Sequence, residues 1–167
     1  NTLKAANMWH SNSLNTSQIN LVVHMLTKWP THFCFPALDL CRIALLHPSI
    51  EPYMLDDMGT MSNNSNDKVL TKSEKLCVAI LEHAERGLAV TEETISSIAD
   101  RNSTLALRCC VNLFKFRSLW KISLLNMENL LNICVSSNFQ ACSSNRKLLE
   151  AVSAIILNCS MVAFAYP

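Results

Sequence analysis

The sequence predicts an all-α domain built as an armadillo- or HEAT-like helical repeat solenoid. Three observations carry that expectation. Only two glycines, Gly59 and Gly87, occur in 167 residues, which nearly excludes glycine-rich phosphate loops, dinucleotide fingerprints and turn-dense β architectures. Apolar residues recur at three- and four-residue spacing, the period of a helix with one buried face. Two apolar segments also end on matching asparagines, Leu105…Cys109-Cys110-Val111-Asn112 and Ala151…Ile155-Ile156-Leu157-Asn158. Asn112 and Asn158 stand 46 residues apart, inside the ~40–47-residue period of such repeats. In a solenoid each repeat buries its face only by stacking on the next, which leaves a concave surface.

The elements follow in order along one domain spanning residues 1–167. Thr16 or Ser17 is placed to cap a first helix whose apolar positions are Ile19, Val22, Val23 and Leu26. It ends near Trp29, because Pro30 biases the residue before it away from helix. A second helix covers Pro36–Leu46, with Leu38, Cys41 and Leu45 on its core face and Pro48 closing the segment. Pro36 suits a first helical position, where its missing N–H is no loss. Ser49–Leu55 is a short irregular or helical stretch, and 56–70 is a polar, mobile loop. The next helix carries Leu76, Ile80 and Ala84, with Gly87 as its C-terminal stop. Thr91 and Thr94, beside Glu92 and Glu93, offer a capping box for another short helix. Further helices are expected over Ser103–Phe114, Leu124–Ser136 and Arg146–Phe164.

Composition narrows the function classes. Charged residues make up 16%, against ~25% in an average domain, and apolar residues make up half. Some apolar surface is therefore expected to await a partner or neighbouring repeats. The net charge of +1 gives no case for nucleic acid, which favours clustered basic surface. The most membrane-like segment, Leu148–Tyr166, is interrupted by Glu150, Ser153, Asn158 and Ser160 and reads as a buried helix, not a membrane span. No signal leader is visible at the N-terminus. The eight cysteines form no C-x-x-C pair, and Cys41, Cys109, Cys134 and Cys159 fall within apolar helical runs. They read as reduced core thiols, hence cytosol or nucleus. No metal or other cofactor is expected. The histidines lack i,i+4 pairing with one another, and Cys34 beside His32 lacks two further ligands at zinc spacing. Cys34 with His32 or His47 is the only nearby nucleophile–base pairing, with no glycine elbow or oxyanion loop beside it. The sequence therefore does not read as an enzyme.

The stretch from Trp29 to Pro48 resembles the core motif of the PUL domain. That domain is the C-terminal module of the phospholipase-activating-protein family, cofactors of the valosin-containing AAA ATPase in ubiquitin handling. The resembling residues are Trp29-Pro30, Phe35-Pro36-Ala37-Leu38-Asp39-Leu40, Arg42 and His47-Pro48. Weaker similarity continues through Leu105-Ala106-Leu107-Arg108 and from Leu148 to Val162, so it covers residues 18–165 with an unmatched patch near 56–70. The resemblance implies an armadillo-like stack whose basic groove grips the acidic, aromatic C-terminal tail of the ATPase. It also implies that ubiquitin is met only through other domains of a longer protein. Basic residues from late repeats are expected past Tyr166-Pro167, so part of the groove is expected to be missing.

Five residues are singled out for peptide binding: Trp29, Arg42, Arg108, Asn112 and Asn158. As a pair along a groove, Arg42 and Arg108 could clamp a carboxylate, which favours a planar bidentate donor. Against that, Arg42 has an i,i+3 partner in Asp39, a pairing of a few tenths of a kcal/mol, and Arg108 could be simply solvated. Asn112 and Asn158 could hold an extended peptide backbone or satisfy backbone groups within the stack. Trp29 and Phe35 read first as core or staple packing, with docking of a ligand aromatic as the other role. Two further readings stay open. One is a generic armadillo/HEAT scaffold for another acidic peptide. The other is a PUL domain joined to a thiol peptidase or thioredoxin module outside this chain.

Overall fold

The computed structural model describes residues 13–56, 71–88, 97–135 and 145–165. Among these residues the chain forms eight α-helices and no strand: α1 Thr16–Lys28, α2 Phe35–Ala44, α3 Ile50–Leu55, α4 Lys72–Leu88, α5 Ser97–Asn112, α6 Trp120–Leu125, α7 Met127–Val135 and α8 Arg146–Ala165. The all-α expectation holds. Of the expected loop 56–70, Asp56 caps α3 in helical conformation, while 57–70 and the Thr91–Thr94 capping box lie outside the described residues.

Several boundaries differ from the sequence reading, each for a local reason. The cap of α1 is Asn15, one residue ahead of Thr16: its Oδ1 accepts the Gln18 amide at 2.9 Å, and Gln18 Oε1 accepts the Asn15 amide at 3.0 Å. Asparagine is among the best N-caps, and the reciprocal pair fixes the choice. At the other end Trp29 is extended, as Pro30 requires, and only its amide still bonds back to Met25. Helix α2 starts on Phe35, so Pro36 sits at the second position, still within the turn whose amides have no partner. Gly87 does not stop α4. The helix runs through it to Leu88, and no described glycine has a positive φ.

Helix α5 begins six residues before the expected Ser103 and ends at Asn112. The single helix expected over Leu124–Ser136 is instead α6 and α7, broken at Asn126. That side chain donates to the Ile122 carbonyl at 2.9 Å, competing with the regular ladder.

The architecture is that of an all-α solenoid. Hairpins α1/α2, α4/α5 and α7/α8 stack in order: α1 packs on α4, α2 on α5, α4 on α7 and α5 on α8. Helix α5 is the centre of the stack, with Ala106, Leu107, Cys109 and Cys110 fully enclosed. Seven described cysteines are free thiols, and all seven are buried, as the apolar runs led us to expect. Helix α8 departs from the buried-helix expectation. Leu148, Val152, Ile155 and Cys159 face the core, but Leu157 is 61% and Phe164 90% exposed. These side chains stay exposed although the helix packs on α5, α6 and α7.

Candidate functional site

Helices α2 and α5 run side by side in the same direction, and hydrogen bonds fix their register. Asn102 Nδ2 donates to the Thr31 carbonyl at 2.7 Å, the Cys109 thiol to Leu38 O at 3.5 Å, and Asn112 Nδ2 to Arg42 O at 2.8 Å. Just past α5, Lys115 Nζ donates to Leu46 O at 2.6 Å. Each step along α5 thus meets a later step along α2, with about seventy residues between partners. Helix α8 lies along the other flank of α5.

This stacking brings Arg42 and Arg108 together. With Leu46, Val111 and Asn112 they face Glu150, Ala151 and Ala154 of α8 across a groove of about 280 Å3. Arg42 is restrained within it: Nε and Nη2 both donate to Asp39 Oδ1, at 3.0 and 2.6 Å. Two of its five N–H bonds are thereby engaged, and Nη1 keeps both of its own. Arg108 also lines a second, larger cavity of about 640 Å3 between the starts of α5 and α8. Arg101, Arg146 and Lys147 join Arg108 in its wall, with Phe35 on the apolar side. Sequence reasoning missed these three cations. Arg101, Leu105 and Arg108 lie on one face by helical spacing, but only the packing of α8 places Arg146 and Lys147 opposite them.

The two asparagines separate. Asn112 lines the groove while spending one amide hydrogen on the stack, whereas Asn158 does not line it. From α8 the lining residues are Glu150, Ala151 and Ala154.

Trp29 is also apart from the arginines. It is 42% exposed, and with Pro30, His32, Phe33 and Pro36 it lines a separate hollow of about 510 Å3. Phe33 is 58% and Phe35 42% exposed. The core or staple role expected of Trp29 and Phe35 is not what the turn shows. Cys34 fills its interior instead, fully buried, with its thiol directed at the Trp29 and Pro30 carbonyls at 3.6 and 3.5 Å. Burial raises the Cys34 pKa, partly countered by the nearby Arg86 charge.

These thiols are poor nucleophiles. Burial pushes Cys77 up to about 12 and Cys134 to about 11, and raises Cys109, Cys110 and Cys159 as well. Among the described residues, no three His, Cys, Asp or Glu side chains come close enough to hold a metal ion.

The whole of this arrangement lies within one recognised family boundary, since the family model described as the PUL domain matches residues 1–165. The chain belongs to the PUL domain family. Neither the curated proteins nor the solved structures gave a significant match. A PUL domain is a helical protein-interaction module, and the proline-fenced segment that suggested the family forms the turn and inner helix on one side of the groove. In this PUL domain Asp39 and Arg42 of that segment form a pair at the groove's edge, while Leu38 and Cys41 face the core.

Proposed function

We propose that this PUL domain binds an acidic C-terminal peptide, that of the valosin-containing AAA ATPase, along the groove between α2, α5 and α8. One observation carries the reading: Arg42 and Arg108, 66 positions apart in sequence, line a single groove whose far wall includes the small residues Ala151 and Ala154. Guanidinium forks suit carboxylates, and small side chains let an extended backbone lie close. The exposed Trp29–Phe33 hollow offers a place for an aromatic side chain of the same ligand. Within a longer protein, ubiquitin would be engaged by other domains. The buried thiols favour a reducing compartment, cytosol or nucleus.

Titrating a labelled tail peptide against the domain tests this by fluorescence anisotropy. Arg108→Ala should weaken binding about tenfold, since a hydrogen bond to a charged group contributes ~1.5–3 kcal/mol. Arg108→Lys should recover only part of it, because the planar fork is lost. Unchanged affinity in both variants would remove the groove from the tail site. A second reading, a scaffold for a different acidic peptide, is favoured by Glu150 in the groove wall, which disfavours a uniformly acidic ligand. A tail peptide that fails to bind while other acidic peptides bind through Arg108 would select it.

A further inference from the structure

The wider cavity at the start of α5 and α8 has a charge balance that a peptide carboxylate does not answer. Arg101 and Arg108 reach it from α5, and Arg146 and Lys147 from the first turn of α8. Arg146 is partnered by Glu150 at 2.9 Å. Among the described residues no carboxylate pairs with Arg101, Arg108 or Lys147. Three cations with no carboxylate partner among the described residues line about 640 Å3 and repel one another, and a single carboxylate would neutralise one of them. A ligand that settles the cavity carries several negative charges within a few ångströms.

The donors also fit a particular anion. Planar guanidinium forks take two phosphate oxygens at once, and the lysine supplies a compact charge. The positive end of the α8 dipole points the same way. Its first amides are already spent, because Asn145 Oδ1 accepts from Lys147 and Leu148 N–H at 3.1 and 3.3 Å. Recognition therefore falls to the side chains. The volume lies within the ~300–1,000 Å3 of small-molecule sites, and Phe35, 42% exposed, gives one flat apolar wall.

We infer that this cavity binds a small scaffold bearing several phosphomonoester groups, of the inositol-polyphosphate kind, held by Arg101, Arg108, Arg146 and Lys147. The inference stands apart from the peptide reading, although Arg108 is common to both.

Isothermal titration of the 167-residue chain with inositol hexakisphosphate tests it. One-to-one binding is expected, with Arg101→Ala and Lys147→Ala each weakening it about tenfold. Both side chains are exposed, and circular dichroism confirms that the variants fold. Lys28→Ala, on the exposed end of α1, should change nothing. Vesicles of phosphatidylcholine, with and without phosphatidylinositol bisphosphate, distinguish the source. Variant-sensitive vesicle binding assigns the site to a lipid headgroup, and binding of the soluble compound alone assigns it to a free ligand. Either supports the cavity. No binding of the hexakisphosphate, an equal loss in Lys28→Ala, or a DNA duplex binding as tightly would overturn it.

Discussion

Replacing Asn112 by alanine separates the two uses open to its amide. The Arg42 carbonyl belongs to the last turn of α2, where helix carbonyls run out of amide partners. The chain beyond satisfies its neighbours: Cys41 O accepts Leu45 N–H at 2.9 Å, Ile43 O accepts Leu46 N–H at 3.1 Å and Ala44 O accepts His47 N–H at 2.9 Å. Arg42 O relies on Asn112 Nδ2. Losing such a bond costs ~0.5–1.5 kcal/mol where water can replace it and ~1–3 kcal/mol where it cannot. Asn112 is half-buried at the groove, so Asn112→Ala should cost about 1 kcal/mol. With a urea m-value of about 2 kcal/mol/M, the unfolding midpoint should fall by roughly 0.5 M. Asn158→Ala is the reference. Its amide makes no hydrogen bond among the described residues, and its cost should stay within about 0.5 kcal/mol. If the two variants unfold at the same urea concentration, the clamp assigned to Asn112 is wrong. If Asn112→Ala keeps full stability but loses more peptide affinity than Arg108→Ala, the amide serves the ligand and not the stack.

Asp39→Ala should leave tail-peptide affinity equal or tighter, because it releases two N–H bonds of Arg42; weaker binding by anisotropy would mean that Asp39 orients the arginine productively. Trp29→Ala should shift the unfolding free energy by less than ~1 kcal/mol, whereas Leu38→Ala should cost ~2–5 kcal/mol; the reverse order in denaturant titrations would restore the staple role of Trp29. The buried thiols set an alkaline limit. A free thiol ionises near 9.0, but Cys77 holds its proton to about 12 and Cys134 to about 11. The unfolded chain then loses protons first, so the thiol contribution is complete below pH ~9 and falls through pH ~11–12, by ~1.4 kcal/mol per pH unit for each thiol. Urea midpoints in reductant that stay level from pH 8 to 10.5 would contradict this.

What could be read from the sequence was local. Periodicity located α1, α2, α4, α5 and α8, since each carries its own apolar stripe. The break at Asn126 escaped it because Leu124, Met127, Leu131 and Val135 keep a three- and four-residue spacing across a side chain that bonds backward to Ile122. The 3-10 turn Arg117–Leu119 and the start of α6 escaped too, having no side-chain cap to announce them. At the site, Arg42 and Arg108 were legible as arginines on inner helices. Arg101, Arg146 and Lys147 were not, because their meeting depends on the register of α5 against α8. Trp29 was misread because a conspicuous aromatic drew attention from Cys34, the smaller residue that fills the turn.

The ladder from α5 to α2 also imposes an order on synthesis. The Thr31, Leu38, Arg42 and Leu46 carbonyls are completed by side chains about seventy residues later in the chain. At ~5–20 residues per second, a ribosome needs roughly 4–14 s to supply them. During that interval the first hairpin has no second layer to lean on and keeps its inner face open. Chaperones that shield nascent chains therefore meet this protein when α2 is already made and α5 is not. A slow codon cluster placed between them would lengthen that exposure more than one placed after α8.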